Sequence, residues 1–283
     1  MSVLILNSSA MSYSPYHEWL LGEGKCDLFY LSAPGRRDLP ASAQELADLQ
    51  YQYIREFEDY DISDQLEKEI VKLNDTECFT GIVAMSEWDQ IRAGRLRDRF
   101  GIEGTKELQA EYYRDKWLMK DTLASHGVSV TPFQSVSNVL ELLSFVDKVG
   151  YPVVIKPRLL AGSIGLIIIK NERELRDFAI QGFGESMESQ KHLLVEKWVD
   201  YVNEYHIDGI IEDGELKLIW PSRYIGNVSS YDDCAPMFGA IMVCPDAPLR
   251  VPLQALTKQC LNVLPKLTHS TFHAEVFETE CGG

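Results

Sequence analysis

The stretch Tyr151-Pro-Val-Val-Ile-Lys156-Pro-Arg-Leu-Leu-Ala-Gly162-Ser163-Ile-Gly165-Leu-Ile-Ile-Ile-Lys170 decides how the chain is read. Its two short apolar runs, 153–155 and 166–169, are rich in β-branched residues and bounded by Pro and Gly, so they predict the strands of a hairpin and not a helix. Pro157 ends the first strand and leaves the cation of Lys156 at its tip. Between the strands, Ala161, Gly162, Ser163 and Gly165 are small enough for backbone N–H groups to close on an anion. The spacing is neither the Gly-Lys-Ser/Thr of the Walker pattern nor Gly-x-Gly-x-x-Gly after a strand. A plain hairpin connection uses the same residue types, so the surrounding chain has to decide.

The composition sets bounds. With 283 residues, 45% hydrophobic and 25% charged, the chain suits a globular protein with two or three small cores. No stretch nears twenty consecutive apolar residues, and the opening Met-Ser-Val-Leu-Ile-Leu reads as a buried strand and not a signal peptide, so no membrane partner is expected. The net charge of −16 argues against nucleic acid, whose affinity comes from neutralising phosphates with Lys and Arg. Six cysteines (26, 78, 234, 244, 260 and 281) form no C-x-x-C pair, which points to a reduced, cytoplasmic setting.

Outward from the hairpin, strands at 3–6, 28–31 and 79–85 alternate with helices at 42–60, 64–72 and 88–100, which predicts a parallel sheet covered by helices. The helix at 42–60 rests on Leu46, Leu49, Tyr53 and Phe57 at helical spacing, with Ser42 and Glu45 as a capping box. The polar turn Asn7-Ser-Ser-Ala after the first strand is either a simple loop or a substrate contact. One long helix is expected over 105–126, a strand over 128–131 and a helix over 137–148. After the hairpin come a helix at 172–180 and strands at 192–198, 204–211 and 215–220, the last two joined by Glu212-Asp213-Gly214. A mobile loop at 224–236, a helix at 248–264 and a strand at 271–278 complete the reading.

Lys116, Lys156 with its small-residue loop, Val195-Glu-Lys197 and Glu275 thus lie on separate elements in a fixed order. With Asp115-Lys116 through Gly127-Val128, Gly150-Tyr-Pro-Val-Val-Ile-Lys156-Pro, Ala-Gly-Ser-Ile-Gly165, Val195-Glu-Lys, Glu204-Tyr-His-Ile-Asp208-Gly and Phe272-His-Ala-Glu275, the chain resembles the ATP-grasp superfamily, in its carboxylate-amine ligase branch. The resemblance implies a multi-domain α/β fold: an N-terminal parallel α/β domain (1–104), a connecting helix (105–127), a lid subdomain (128–199) and an incomplete C-terminal antiparallel subdomain (200–283). It implies an ATP-dependent ligase that joins a small-molecule carboxylate to an amine, amino acids among the candidates, through an acyl phosphate, with ATP and Mg²⁺ as cofactors and a homodimer as the assembly. A carboxylase or purine-pathway ligase, or a nucleotide-binding protein without turnover, are the alternatives.

By the same resemblance, Lys116 and Lys156 hold the α- and β-phosphates, and Gly162, Ser163 and Gly165 close over them. Glu196, Lys197 and Val199 meet adenine, Glu204 accepts from the ribose, Arg223 with Lys156 stabilises the transferring phosphoryl group, and Glu275 is a magnesium ligand. Read singly, Lys116 is a solvated helix lysine and Arg223 a surface arginine. The family's second carboxylate and substrate-anchoring arginine are expected beyond residue 283, which suggests a truncated chain. His269 and His273 fall on one face of a strand, which does not make a zinc site.

Overall fold

The computed structural model of the chain describes residues 1–20, 26–38, 40–42, 50–62, 64–181, 193–226 and 239–280. They form two units, Met1–Ala110 and Glu111–Gly283.

In the first unit, β1 (Ser2–Asn7), β2 (Asp27–Ser32), β3 (Tyr51–Glu56) and β4 (Gly81–Ala84) make a parallel sheet in the order β3-β2-β1-β4. Val3 to Leu6 are continuously apolar because both faces of the sheet are covered. Leu4 and Leu6 join Phe29, Leu31, Ile70 and Leu96 on one side, while Val3 and Ile5 join Tyr16, Tyr30 and Tyr51 on the other. The covering helices are α1 (Tyr16–Trp19), α2 (Gln65–Glu77) and α3 (Gln90–Phe100), the last closed by Gly101 in the left-handed conformation.

Residues 51–56 correct the helix expected over 42–60. They form a strand because Tyr51 packs against Tyr30, ring centroids 5.3 Å apart, and Tyr53 stacks on Phe29 at 6.5 Å. An aromatic edge strand that covers both faces mimics a helical stripe in sequence. Glu45, Leu46 and Leu49 lie outside the described residues. The polar turn after β1 is absorbed by the fold: Asn7 Nδ2 donates to Tyr30 Oη (2.7 Å), while Ser8 donates from N (3.0 Å) and Oγ (2.9 Å) to Asp89. Asp89 is fully buried, also accepts from Tyr60 (2.9 Å), and burial raises its pKa.

The second unit begins with a second correction. The helix expected over 105–126 is two, α4 (Glu107–Arg114) and α5 (Lys116–Ser125). Asp115 is extended (φ −82°, ψ 105°), and its carboxylate accepts from Trp117 N and Leu118 N as the cap of α5. The same carboxylate pairs with Arg158 beyond the hairpin's first strand, so the break serves a tertiary contact that spacing alone does not reveal.

The lid sheet is antiparallel in the order β5-β8-β6-β7, from β5 (Phe133–Val136), β6 (Val153–Pro157), β7 (Ile167–Ile169) and β8 (Leu193–Lys197). The hairpin forms as read, with Val153 opposite Ile169 and Ile155 opposite Ile167. Strand β5 starts after Pro132 and not at Val128, because Val128 is buried with Leu123 and Leu264 instead. One sheet face (Val136, Val153, Ile155, Leu193, Val195) packs on α6 (Val139–Val149) and α7 (Glu172–Gln181). Asn138, and not Ser137, caps α6, accepting from Glu141 N at 3.0 Å.

The C-terminal sheet is antiparallel in the order β11-β10-β9-β12, from β9 (Tyr201–Glu212), β10 (Glu215–Ile225), β11 (Gly239–Met242) and β12 (Ser270–Thr279). Asp213 (φ 54°) and Gly214 (φ 73°) make the tight turn between β9 and β10. Of the loop expected at 224–236, Tyr224 and Ile225 belong to β10, and 227–236 lie outside the described residues; β11 was not expected. Tyr205 and Ile207 pack with Leu253 of α8 (Arg250–Val263), so the alternating residues Glu204, His206 and Asp208 face the other way. Among the described residues, no helix is long and apolar enough to cross a membrane.

Gly209 fixes where β12 lies. A Cβ there would fall 2.2 Å from the Phe272 ring and 2.6 Å from the Leu218 carbonyl. Gly209→Ala is expected to destabilise the fold by about 1–3 kcal/mol, read as a lower thermal midpoint; an unchanged midpoint would contradict this packing.

Candidate functional site

Alternation along β8 turns Val195 into the lid core and Glu196 onto the opposite face, beside Lys156 of β6. The Glu196 side chain, in a residue only 7% exposed, lies 2.6 Å from Lys156 Nζ and 2.9 Å from Lys120 Nζ on α5. Thr131 Oγ1 donates to it at 3.1 Å. Burial alone would raise its pKa, but the two ammonium groups outweigh burial and draw it down to about 2. Burial in turn pushes the Lys120 pKa down, opposed by the charge of Glu196. A buried carboxylate is stable only with such partners, and removing one leaves an uncompensated charge.

Lys116 opens α5, four residues before Lys120. Its backbone N–H donates to Arg158 O (3.1 Å), and its Nζ donates to the carbonyl of Leu160. Arg158 is clamped by Asp115 and lies 4.9 Å over the Trp117 ring, which ties the loop after β6 to the start of α5. Gly162 (φ 61°), Ser163 (φ 59°) and Gly165 (φ 73°) turn this loop through the left-handed region. At Gly165 a Cβ would meet Pro157 Cγ at 2.8 Å, so only glycine lets the loop fold back on the strand tip. Lys116, Lys156 and the loop are therefore one assembly.

Opposing it, β9 and β12 carry Glu204 and Glu275 on one face, since Glu204 pairs with Phe277 and His206 with Glu275. Burial, and then the charge of Glu275, raise the Glu204 pKa to about 7, while Lys156 pulls against them. Glu275 is held low, first by the facing His273 and then by the charges of His273, Lys156 and Lys116, against burial. Glu275 lies 3.9 Å from His273 Nε2, and its neighbour and Asp208 raise the His273 pKa to about 9 against the effect of burial. The charges of the lid lysines thus reach the carboxylates of the C-terminal sheet.

Two expected site residues turn their side chains away from Glu196 and Glu275. Arg223 pairs with Tyr205 and so projects from the face opposite Glu275; it is exposed and donates to Asn203 (3.3 Å). Strand alternation likewise turns Lys197 away from Glu196, and its Nζ donates to Tyr151 O (2.7 Å). Val199 follows β8, half-buried. Lys120 escaped the sequence reading, although its spacing of four from Lys116 on a helix was the signal that both face one way.

Residues 115–233 match the family model described as the carbamoyl-phosphate synthase L chain, ATP binding domain. The model begins at the cap of α5 and covers both lysines, the loop, Glu196 and Glu204. The chain is 28% identical over 206 residues to an L-arginine-specific L-amino acid ligase of Bacillus subtilis, covering 72% of this chain and 49% of that protein. Over 99% of its length it has the fold of the L-amino acid ligase from Bacillus licheniformis (TM-score 0.72, 13% identity, 64% of that chain). These likenesses are to the ATP-grasp superfamily, and residues 115–233 are the part that its ATP-binding model matches. A second ATP-grasp likeness, over 100% of this chain and 68% of the other, is to N5-carboxyaminoimidazole synthetase from Staphylococcus aureus complexed with ADP (TM-score 0.70, 15% identity). The chain spans about half the length of its Bacillus subtilis relative.

Glu204 makes a pH prediction. The Glu204 pKa is raised from the ordinary carboxylate range to about 7, so folded protein retains a proton that unfolded protein releases, and stability falls as pH rises through this window. Glu204→Gln is expected to gain stability relative to the parent as pH rises from the ordinary carboxylate range to about 7 in urea unfolding; a pH-independent difference would contradict the raised pKa of this half-buried carboxylate.

Proposed function

We propose that this chain binds ATP between the lid and C-terminal sheets and belongs to a ligase that activates a carboxylate for attack by an amine. The observation that carries the reading is the opposition of Lys116, Lys156 and the Gly162–Gly165 loop to Glu204 and Glu275. The donor set fits its ligands: ammonium groups and backbone N–H groups suit phosphates, and a carboxylate suits Mg²⁺, which takes oxygen ligands. Lys116 and Lys156 hold the α- and β-phosphates, and the loop with Gly162, Ser163 and Gly165 covers them. Glu196, Lys197 and Val199 border the adenine, the last two through backbone, Glu204 receives the ribose hydroxyls, and Glu275 is the magnesium ligand. Arg223 takes no part.

ATP supplies the phosphoryl group that turns a carboxylate into an acyl phosphate, which the amine then displaces. The protein's share is positioning and charge neutralisation. Amino acids as substrates are supported by likeness to the two Bacillus ligases, and a homodimer by the family resemblance. The free Cys26, Cys78, Cys244 and Cys260 support a reducing cytoplasm. The likeness to N5-carboxyaminoimidazole synthetase favours a purine-pathway ligase as the second reading.

Lys156→Ala is expected to weaken binding of a non-hydrolysable ATP analogue by about 10–100-fold in calorimetry, the value of a charge-assisted phosphate contact. Equal affinity would remove Lys156 from the site. Glu275→Gln is expected to lower amino-acid-dependent ADP release more than nucleotide affinity. Nucleotide binding by the parent without ADP release in the presence of candidate amino acids or of a purine precursor would reject the ligase reading in favour of a nucleotide-binding protein.

A further inference from the structure

Toward the Asp213 turn, the face of the C-terminal sheet that carries Glu204 and Glu275 continues into a cluster of a different chemical kind. On β9, His206 and Asp208 alternate onto this face; on β12, His273 lies directly opposite Asp208. His206 Nδ1 is 2.8 Å from Asp208 Oδ2, and His273 Nδ1 is 2.7 Å from Asp208 Oδ1. The two imidazoles stack with centroids 5.1 Å apart and planes 26° from parallel, so both Nδ1 atoms converge on one carboxylate. One donor atom from each of the three residues lies within 4.8 Å of the other two. Donors about 2.0–2.2 Å from a common ion fit inside that span.

We propose that His206, Asp208 and His273 form a binding site for a borderline divalent transition metal of the Zn²⁺ class, separate from the magnesium ligand Glu275. Two imidazole nitrogens and a carboxylate oxygen select such an ion over Mg²⁺, which prefers oxygen. The outer shell is also in place. A ligating imidazole is held by the partner of its other nitrogen, and His273 Nε2 is 3.3 Å from Tyr224 Oη and 3.9 Å from Glu275 Oε1. The Tyr224 ring packs 4.7 Å from the His206 ring and fixes its plane. The three ligands sit on paired strands, so ladder hydrogen bonds set their spacing. Asp208 is half exposed, which leaves a fourth position open to water.

The spacing of His269 and His273 drew attention in sequence to the wrong pair. His269 is beside Asp213, 3.6 Å away, and the partner of His273 is His206, 67 positions earlier in the chain and on the neighbouring strand.

The test is a titration of nucleotide-free protein with Co²⁺, whose visible absorption reports nitrogen and oxygen ligation at low coordination number. The parent chain is expected to take up one Co²⁺, displaced by Zn²⁺ and not by excess Mg²⁺. His206→Gln, Asp208→Asn and His273→Gln are each expected to weaken binding at least ~10-fold, while His269→Ala leaves it unchanged. Circular dichroism checks that each variant is folded. No Co²⁺ absorption in the parent, uptake that survives all three substitutions, or equal loss in His269→Ala would overturn the site. No nucleotide is used, so the outcome is independent of the ligase proposal.

Discussion

The architecture of the second unit depends on one buried carboxylate. Glu196 is 7% exposed, and in isolation an ionised carboxyl at that depth would cost several kcal/mol. Its two neutralising partners come from different elements, Lys120 from α5 and Lys156 from β6. The charge therefore holds α5 against the lid sheet and orients Lys156 before any ligand arrives. Lys116, one helical turn before Lys120, is brought to the loop after β6 by the same docking, and Asp115 secures it by capping α5 and clamping Arg158.

This arrangement divides labour between two antiparallel sheets. The lid sheet buries one apolar face on α6 and α7 and presents cations on the other. The C-terminal sheet buries one face on α8 and presents carboxylates and imidazoles. Alternation along the strands separates Glu275 from Arg223 and Glu196 from Lys197. The charge of Lys156 favours the ionised form of both Glu204 and Glu275, which links the lid sheet electrostatically to the C-terminal sheet.

Much of this was legible in the sequence where local rules dominate. The hairpin around Gly162, the tight turn at Asp213-Gly214 and the parallel sheet of the first unit follow from β-branched runs and turn residues. What escaped depends on contacts distant in sequence. Leu46, Leu49, Tyr53 and Phe57 carry a helical spacing, yet Tyr51 and Tyr53 lie in a strand because Tyr30 and Phe29 receive them. The break at Asp115 answers to Arg158, and Val128 leaves the lid sheet for a cluster with Leu264. In the site, residue type and order pointed to Lys156 and Glu275, and the resemblance to Glu204, whereas Arg223 projects from the other strand face, which charge alone does not reveal. Lys120 carried only its helical spacing from Lys116 as a signal, and its role comes from the buried Glu196.

The central claim is that the cleft between the two sheets of the second unit is a nucleotide site, with the lysines at the phosphates and Glu275 at the metal. A crystal structure of the chain with a non-hydrolysable ATP analogue and Mg²⁺ tests it most directly. The account predicts the triphosphate between Lys116, Lys156 and the Gly162–Gly165 loop, with the metal on Glu275. A nucleotide bound elsewhere, or phosphates remote from both lysines, would contradict it.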